Sequence, residues 1–166
     1  MASGDSEITR LVDQLEREHS GEPWHGQPLG DILAGITHQQ AAARPLAGGH
    51  TIWEIVLHLT AWKHEVRNRL TGAPAGSPPG GDWPSPPSSP GADDWRDALA
   101  ALDEAHHALV AVVARIPDAQ LFDRTNDPRV GADESPDTYF QLVQGVLQHD
   151  IYHSGQIALL KKGVVR

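Results

Sequence analysis

The stretch LQHDIYHSGQIALL, residues 147–160, places His149 and His153 four residues apart, with Asp150 between them. Two histidines at that spacing project side by side from one face of a helix. Neutral imidazole is the commonest nitrogen ligand of divalent metals, so the pair is a candidate half of a metal site. Asp150 is a candidate catalytic residue, either accepting a proton or orienting a ligand histidine. On a helical wheel all three share the arc of Tyr139, Leu142, Val143, Val146, Ile157 and Leu160. An unpaired neutral polar group facing an apolar interior costs about 2–7 kcal/mol, and a bound metal would turn that cost into a gain. The plainer alternative is a pair of core histidines hydrogen-bonded to Asp150 and, through water, to each other.

A third ligand must come from another helix. His58 in WEIVLHLTAWKHEV lies on the flank of an apolar stripe close to Trp62 and is the best candidate. His64 faces elsewhere and is read as exposed. Glu54 is explained by a capping role. His106 points inward and is read as a core histidine, with His107 turned out. His25 and Trp24, in PWHG, are candidate substrate-binding residues at the rim of a site, and His50 sits in a turn. Gln156, at the edge of the inward arc, is a further candidate substrate contact. Three histidines leave a divalent ion at least one open position, as catalytic rather than structural sites do.

The elements that must position these residues are helices. Apolar residues at helical spacing predict segments over about 4–19, 51–71, 92–116 and 135–162, with a minor helix near 28–42 bending at Gly35 and Thr37. TIWE reads as a capping box of Thr51 and Glu54. SPDT offers Ser135 as N-cap with Pro136 first in the helix, and Gly163 is expected to end it. Residues 71–91, rich in Pro and Gly, can neither continue a helix nor pair as a central strand. They read as a long crossover between the second and third long helices, with Trp83 pinning it. The expectation is all-α: a four-helix bundle, one domain over 1–166.

Composition removes several alternatives. With 22 acidic against 13 basic residues the formal charge is −9, which repels phosphate backbones and anionic lipid. Neither nucleic-acid nor membrane partners are expected. No cysteine is present, so any metal must be held by histidine and carboxylate, and a sulfur nucleophile would have to come from outside the chain. The first residues carry no signal-peptide core, and a cytoplasmic protein is expected. No phosphate-cradling glycine motif occurs.

PWHG at 23–26, THQQAAARPLAGGHTIWEIVLHLTAW at 37–62, DWP at 82–84 and GVLQHDIYHSGQIALLKK at 145–162 together give the chain a resemblance to the DinB-like (DinB/YfiT) superfamily of metal-dependent enzymes. The resemblance spans nearly the whole chain, and the last motif is its most specific part. It implies a four-helix bundle with a divalent ion on His58, His149 and His153, the three residues reached above. It also implies a small-molecule substrate, with thiol-dependent transferases and isomerases among the relatives, and a homodimer. Zinc or nickel would suit three imidazoles best, with iron a further choice. A transferase using a low-molecular-weight thiol and a metal–water hydrolase are the enzymatic readings. A noncatalytic bundle stapled by its metal is the alternative.

Overall fold

A computed structural model describes residues 6–131 and 136–164. Six α-helices are found among them: α1 (Glu7–Ser20), α2 (Leu29–Leu33), α3 (His38–Ala42), α4 (Ile52–Leu70), α5 (Ala92–Val113) and α6 (Tyr139–Val164). There is no strand among the described residues, only an isolated bridge between Arg124 and Thr138. The all-α expectation therefore holds. No helix there is long and apolar enough to cross a membrane.

Helices α1, α4 and α6 each begin where a short polar side chain meets their first unpaired amides. Ser6 caps α1 by accepting from Thr9 N (3.2 Å), and Asp118 accepts from Glu7 N and Ile8 N of the same turn (3.0 and 3.1 Å). The capping box of Thr51 and Glu54 opens α4 as expected, at 3.1 and 2.8 Å. The expected helix over 28–42 is two short ones. Gly35 adopts a positive φ of 75° between them, and Thr37 restarts the helix with a capping box to Gln40.

Three boundaries differ from expectation. Helix α5 ends at Val113 rather than near 116. Helix α6 starts at Tyr139, because Thr138 and Gln141 form the box that opens it (3.1 and 2.8 Å); Ser135, the expected cap, lies outside the described residues. Gly163 does not end α6, which continues to Val164.

The apolar core is divided. One cluster gathers Trp53, Ile55, Leu59, Trp95, Leu102 and Ile157 with residues of α2 and α3. The other gathers Leu11, Leu15, Val66, Leu109, Val113 and Val143. Along every long helix, buried polar residues follow the stretch that feeds one cluster or separate it from the other: Glu18 and His19 on α1, Lys63 on α4, His106 on α5, Asp150 and Ser154 on α6. Lys63 is fully buried, and its Nζ donates to Asp150 Oδ2, joining α4 to α6. The bundle thus carries a polar layer across its middle, and His58, His149 and His153 lie on the same stretches of α4 and α6.

Residues 71–91 join α4 to α5 without a helix and are fastened at several points. Gly76 N donates to Glu65 Oε1 (2.8 Å) and Ala75 N to Asn126 O (2.8 Å). Trp83 stacks on His58 (ring centroids 3.9 Å apart) and on His50 (3.4 Å), so it does pin this segment to the bundle.

Candidate metal centre

Helix α4 supplies His58, and α6 supplies His149 and His153 one turn apart. Their ring centroids form a near-equilateral triangle of 4.8, 4.8 and 4.6 Å. One ligand atom from each ring lies within 4.8 Å of the others, and His58 Nε2 is 2.8 Å from His149 Nε2. His58 and His153 are buried, and His149 is half-buried.

The outward nitrogens decide what the inward ones can do. His58 Nδ1 donates to the Asp82 carbonyl oxygen (2.5 Å), and His153 Nδ1 donates to Gln156 Oε1 (2.9 Å). With the proton fixed on Nδ1, both rings turn an Nε2 lone pair toward the centre of the triangle. A lone pair on His58 Nε2 facing His149 Nε2 at 2.8 Å requires either a proton on His149 or a cation between the rings. Burial first, then the neighbouring His153 and His58 rings, push the His149 imidazole down to about 3. Burial also lowers His153. Neutral imidazoles with fixed tautomers are the form a metal ligand needs, so the donor set fits a divalent ion.

The segment after α4 supplies the surroundings. Asp82 accepts from His58 through its carbonyl and from Trp62 Nε1 through Oδ1 (2.8 Å). Trp62 meets His58 and His149 edge-on (6.4 and 6.3 Å). Beyond these rings a cleft of about 310 Å³ runs between α4 and α6, with His58, Trp62 and His149 at one end and Arg69 and Gln141 at the other.

The other residues singled out in the sequence fall as follows. Asp150 is buried on Lys63 and leaves Oδ1 without a partner among the described residues; no hydrogen bond joins it to a ring of the triad. Gln156 lies behind His153 rather than over the triangle. His25 Nε2 bonds Glu18 Oε2 (2.5 Å), Glu18 also accepts from Ser154 Oγ (2.6 Å), and His25 lines a separate pocket with Ser154 and Gly155. Trp24 is fully exposed. His106 is buried against His19 in a parallel stack (3.8 Å, 6°). His64, read as exposed, is half-buried.

Sequence reasoning missed Lys63, Glu18 and Asp82. Lys63 was legible, because Leu59, Lys63, Val66 and Leu70 continue one apolar stripe through a lysine. Leu11, Leu15 and Glu18 do the same on α1. Asp82 carries no periodic signal, since it acts largely through a loop carbonyl.

A family model described as the DinB superfamily matches residues 24–157. No curated protein and no solved structure matches. The family match covers most of the chain, which therefore belongs to the DinB superfamily, whose members are usually metal-dependent.

Proposed function

We propose that this member of the DinB superfamily is a divalent-metal enzyme, with His58, His149 and His153 as its metal ligands and the α4–α6 cleft as its substrate site. The observation that carries the reading is the convergence of three imidazoles, two with tautomers fixed from outside, at the end of a cleft. No fourth His, Asp or Glu joins the cluster among the described residues. Asp150 is engaged by Lys63 and His106 by His19, which supports a centre left open toward the cleft.

A divalent ion held there, zinc or nickel first and iron next, would lower the pKa of a bound water or thiol and so supply a nucleophile at neutral pH. The chain's own residues hold and shield that chemistry. Asp82 and Gln156 keep the ligand tautomers. Trp83 covers one face of His58, and Trp62 walls the cleft. With no cysteine in the chain, a small thiol cosubstrate would bring the sulfur. It would give up its proton and bond an electrophilic carbon of the second substrate as the bond from that carbon to its leaving group breaks, the leaving group departing with the electron pair and taking up the proton. Hydrolysis by water is the parallel reading. Of the two roles for Asp150, its lysine partner supports positioning: it ties α6 to α4 beside His149. Support for substrate contact lies with Trp62 and the cleft rather than with His25 and Trp24. A single domain over 1–166, a cytoplasmic location and a homodimer complete the proposal, the last supported by exposed Tyr152 and Leu159 on α6.

A metal that only staples α4 to α6 is the second reading, favoured by the Lys63–Asp150 pair that already joins the same helices. Cobalt-substituted protein separates the two. Visible bands that shift when azide or 2-mercaptoethanol is added indicate an exchangeable position and a catalytic centre. Bands unmoved by either leave the staple.

A further inference from the structure

The cleft beside the triad has a floor, two walls and a far end, and beyond His58 and His149 none of these supplies a candidate metal ligand. One turn before His149, Gly145 lies within α6, a helix of 26 residues. Glycine inside a helix is less stable than alanine there. No packing contact requires it, because a Cβ built on Gly145 would meet nothing within 4 Å. Gly145 nevertheless lines the cleft, facing the wall made by Trp62 and Val66. A side chain at 145 would occupy the cleft and leave the protein's packing alone.

At the far end two donors are held in place by their other atoms. Arg69 is buried; its Nε donates to Glu65 Oε1 (2.8 Å), its Nη2 to the Gly76 carbonyl (2.7 Å), and its guanidinium lies 5.6 Å from the Trp62 ring. Its Nη1 has no partner among the described residues. Gln141 accepts from Thr138 N through Oε1 (2.8 Å), which leaves its amide nitrogen free to donate. Both residues line the cleft. The acidic residues on its rim, Asp82 and Asp137, are exposed, where water and salt screen them; Gln141 is exposed as well, so the buried Arg69 supplies most of the attraction for an anion. From His58 to Arg69 the cleft follows three turns of α4, roughly 16 Å.

We propose that this cleft takes an elongated organic acid, its apolar middle lying over Gly145 against Trp62 and its carboxylate at Arg69 and Gln141, with its reacting end at the three histidines. The assignment deepens the reading of the triad as a metal centre and rests on it for the reacting end alone.

The test uses 6-phenylhexanoate and its neutral amide as probes on the full chain, metal-loaded and metal-free, by calorimetry or ligand-observed NMR. The acid should bind several-fold more tightly than the amide. Gly145→Leu should abolish acid binding, and Gly145→Ala should weaken it about tenfold while raising Tm by about 2–4 °C. Loss of binding in a variant that is more stable than the parent separates occupancy of the cleft from damage to the fold. Equal binding of acid and amide, or full binding to Gly145→Leu, overturns the assignment. Metal content measured on the same samples keeps the two ideas apart: acid binding by a chain that takes up no metal even on reconstitution supports the cleft and counts against the metal centre, and metal uptake without acid binding does the reverse.

Discussion

The two hydrogen bonds behind the histidines matter as much as the histidines themselves. Gln156 accepts from His153 Nδ1, and that acceptor keeps Nε2 free for a cation. Gln156→Leu should weaken metal affinity about 10–100-fold, whereas Gln156→Glu, which keeps an acceptor, should hold it near the parent value. Competition with a chromophoric chelator measures both. Equal loss in the two variants would mean that Gln156 acts by packing alone. His58 offers no comparable variant at its acceptor, because the acceptor is the Asp82 backbone. The neighbouring Trp62→Phe change removes the donor that holds the Asp82 carboxylate (2.8 Å). It should speed metal dissociation to added chelator while leaving the ligands in place; an unchanged rate would show that Asp82 is held without Trp62.

At the scale of elements, α4 and α6 are joined by a buried ion pair beside the triad. Removing one partner of such a pair leaves the other charge buried, which costs about 3–5 kcal/mol, while replacing both with apolar residues is often neutral. Lys63→Met should therefore lower unfolding free energy by that amount in urea titrations. Lys63→Met with Asp150→Leu should recover most of the loss, and a double variant no better than the single would refute the pairing argument. The helices themselves were legible in the sequence because period and caps agree: Ile52, Ile55, Val56 and Leu59 behind Thr51 and Glu54 leave little choice. The misplaced start of α6 falls where two caps compete: Ser135 and Thr138 are both good N-caps, but only Thr138 is followed three residues on by a glutamine, Gln141, that closes a capping box. The triad was legible for the same reason as the helices, being three imidazoles on two inward arcs. Asp82 was not, because it depends on where an aperiodic segment lands, which tertiary contacts through Trp83, Gly76 and Trp62 decide.

For the whole molecule, the polar layer makes stability depend on pH. Burial, then Lys63, His19 and His107, push His106 down to about 2, and burial likewise lowers His19. His106 is faced by His19 and Glu16 from α1 and by Lys63 from α4. An imidazole whose folded pKa lies below its unfolded value binds more protons when unfolded. Its stabilisation is complete above about 6.5 and is lost as pH falls below that value, by up to about 1.4 kcal/mol per pH unit for each ring. Glu18, raised by burial, works the other way, a single carboxyl against His19 and His106 and against His64, His149 and His153, which burial also lowers. Urea midpoints should therefore fall from pH 7 to pH 5. His106→Leu, which removes two buried ring nitrogens without partners among the described residues, should raise the pH 5 midpoint and flatten the profile. A profile as steep as the parent's would place the dependence elsewhere.

The most direct test of the metal centre is elemental mass spectrometry of the untagged full chain beside His153→Ala. About one equivalent of a divalent metal per chain is expected, lost in the variant. A chain that holds none, even after reconstitution with zinc or nickel, would contradict it and leave His58, His149 and His153 as a buried hydrogen-bonded cluster.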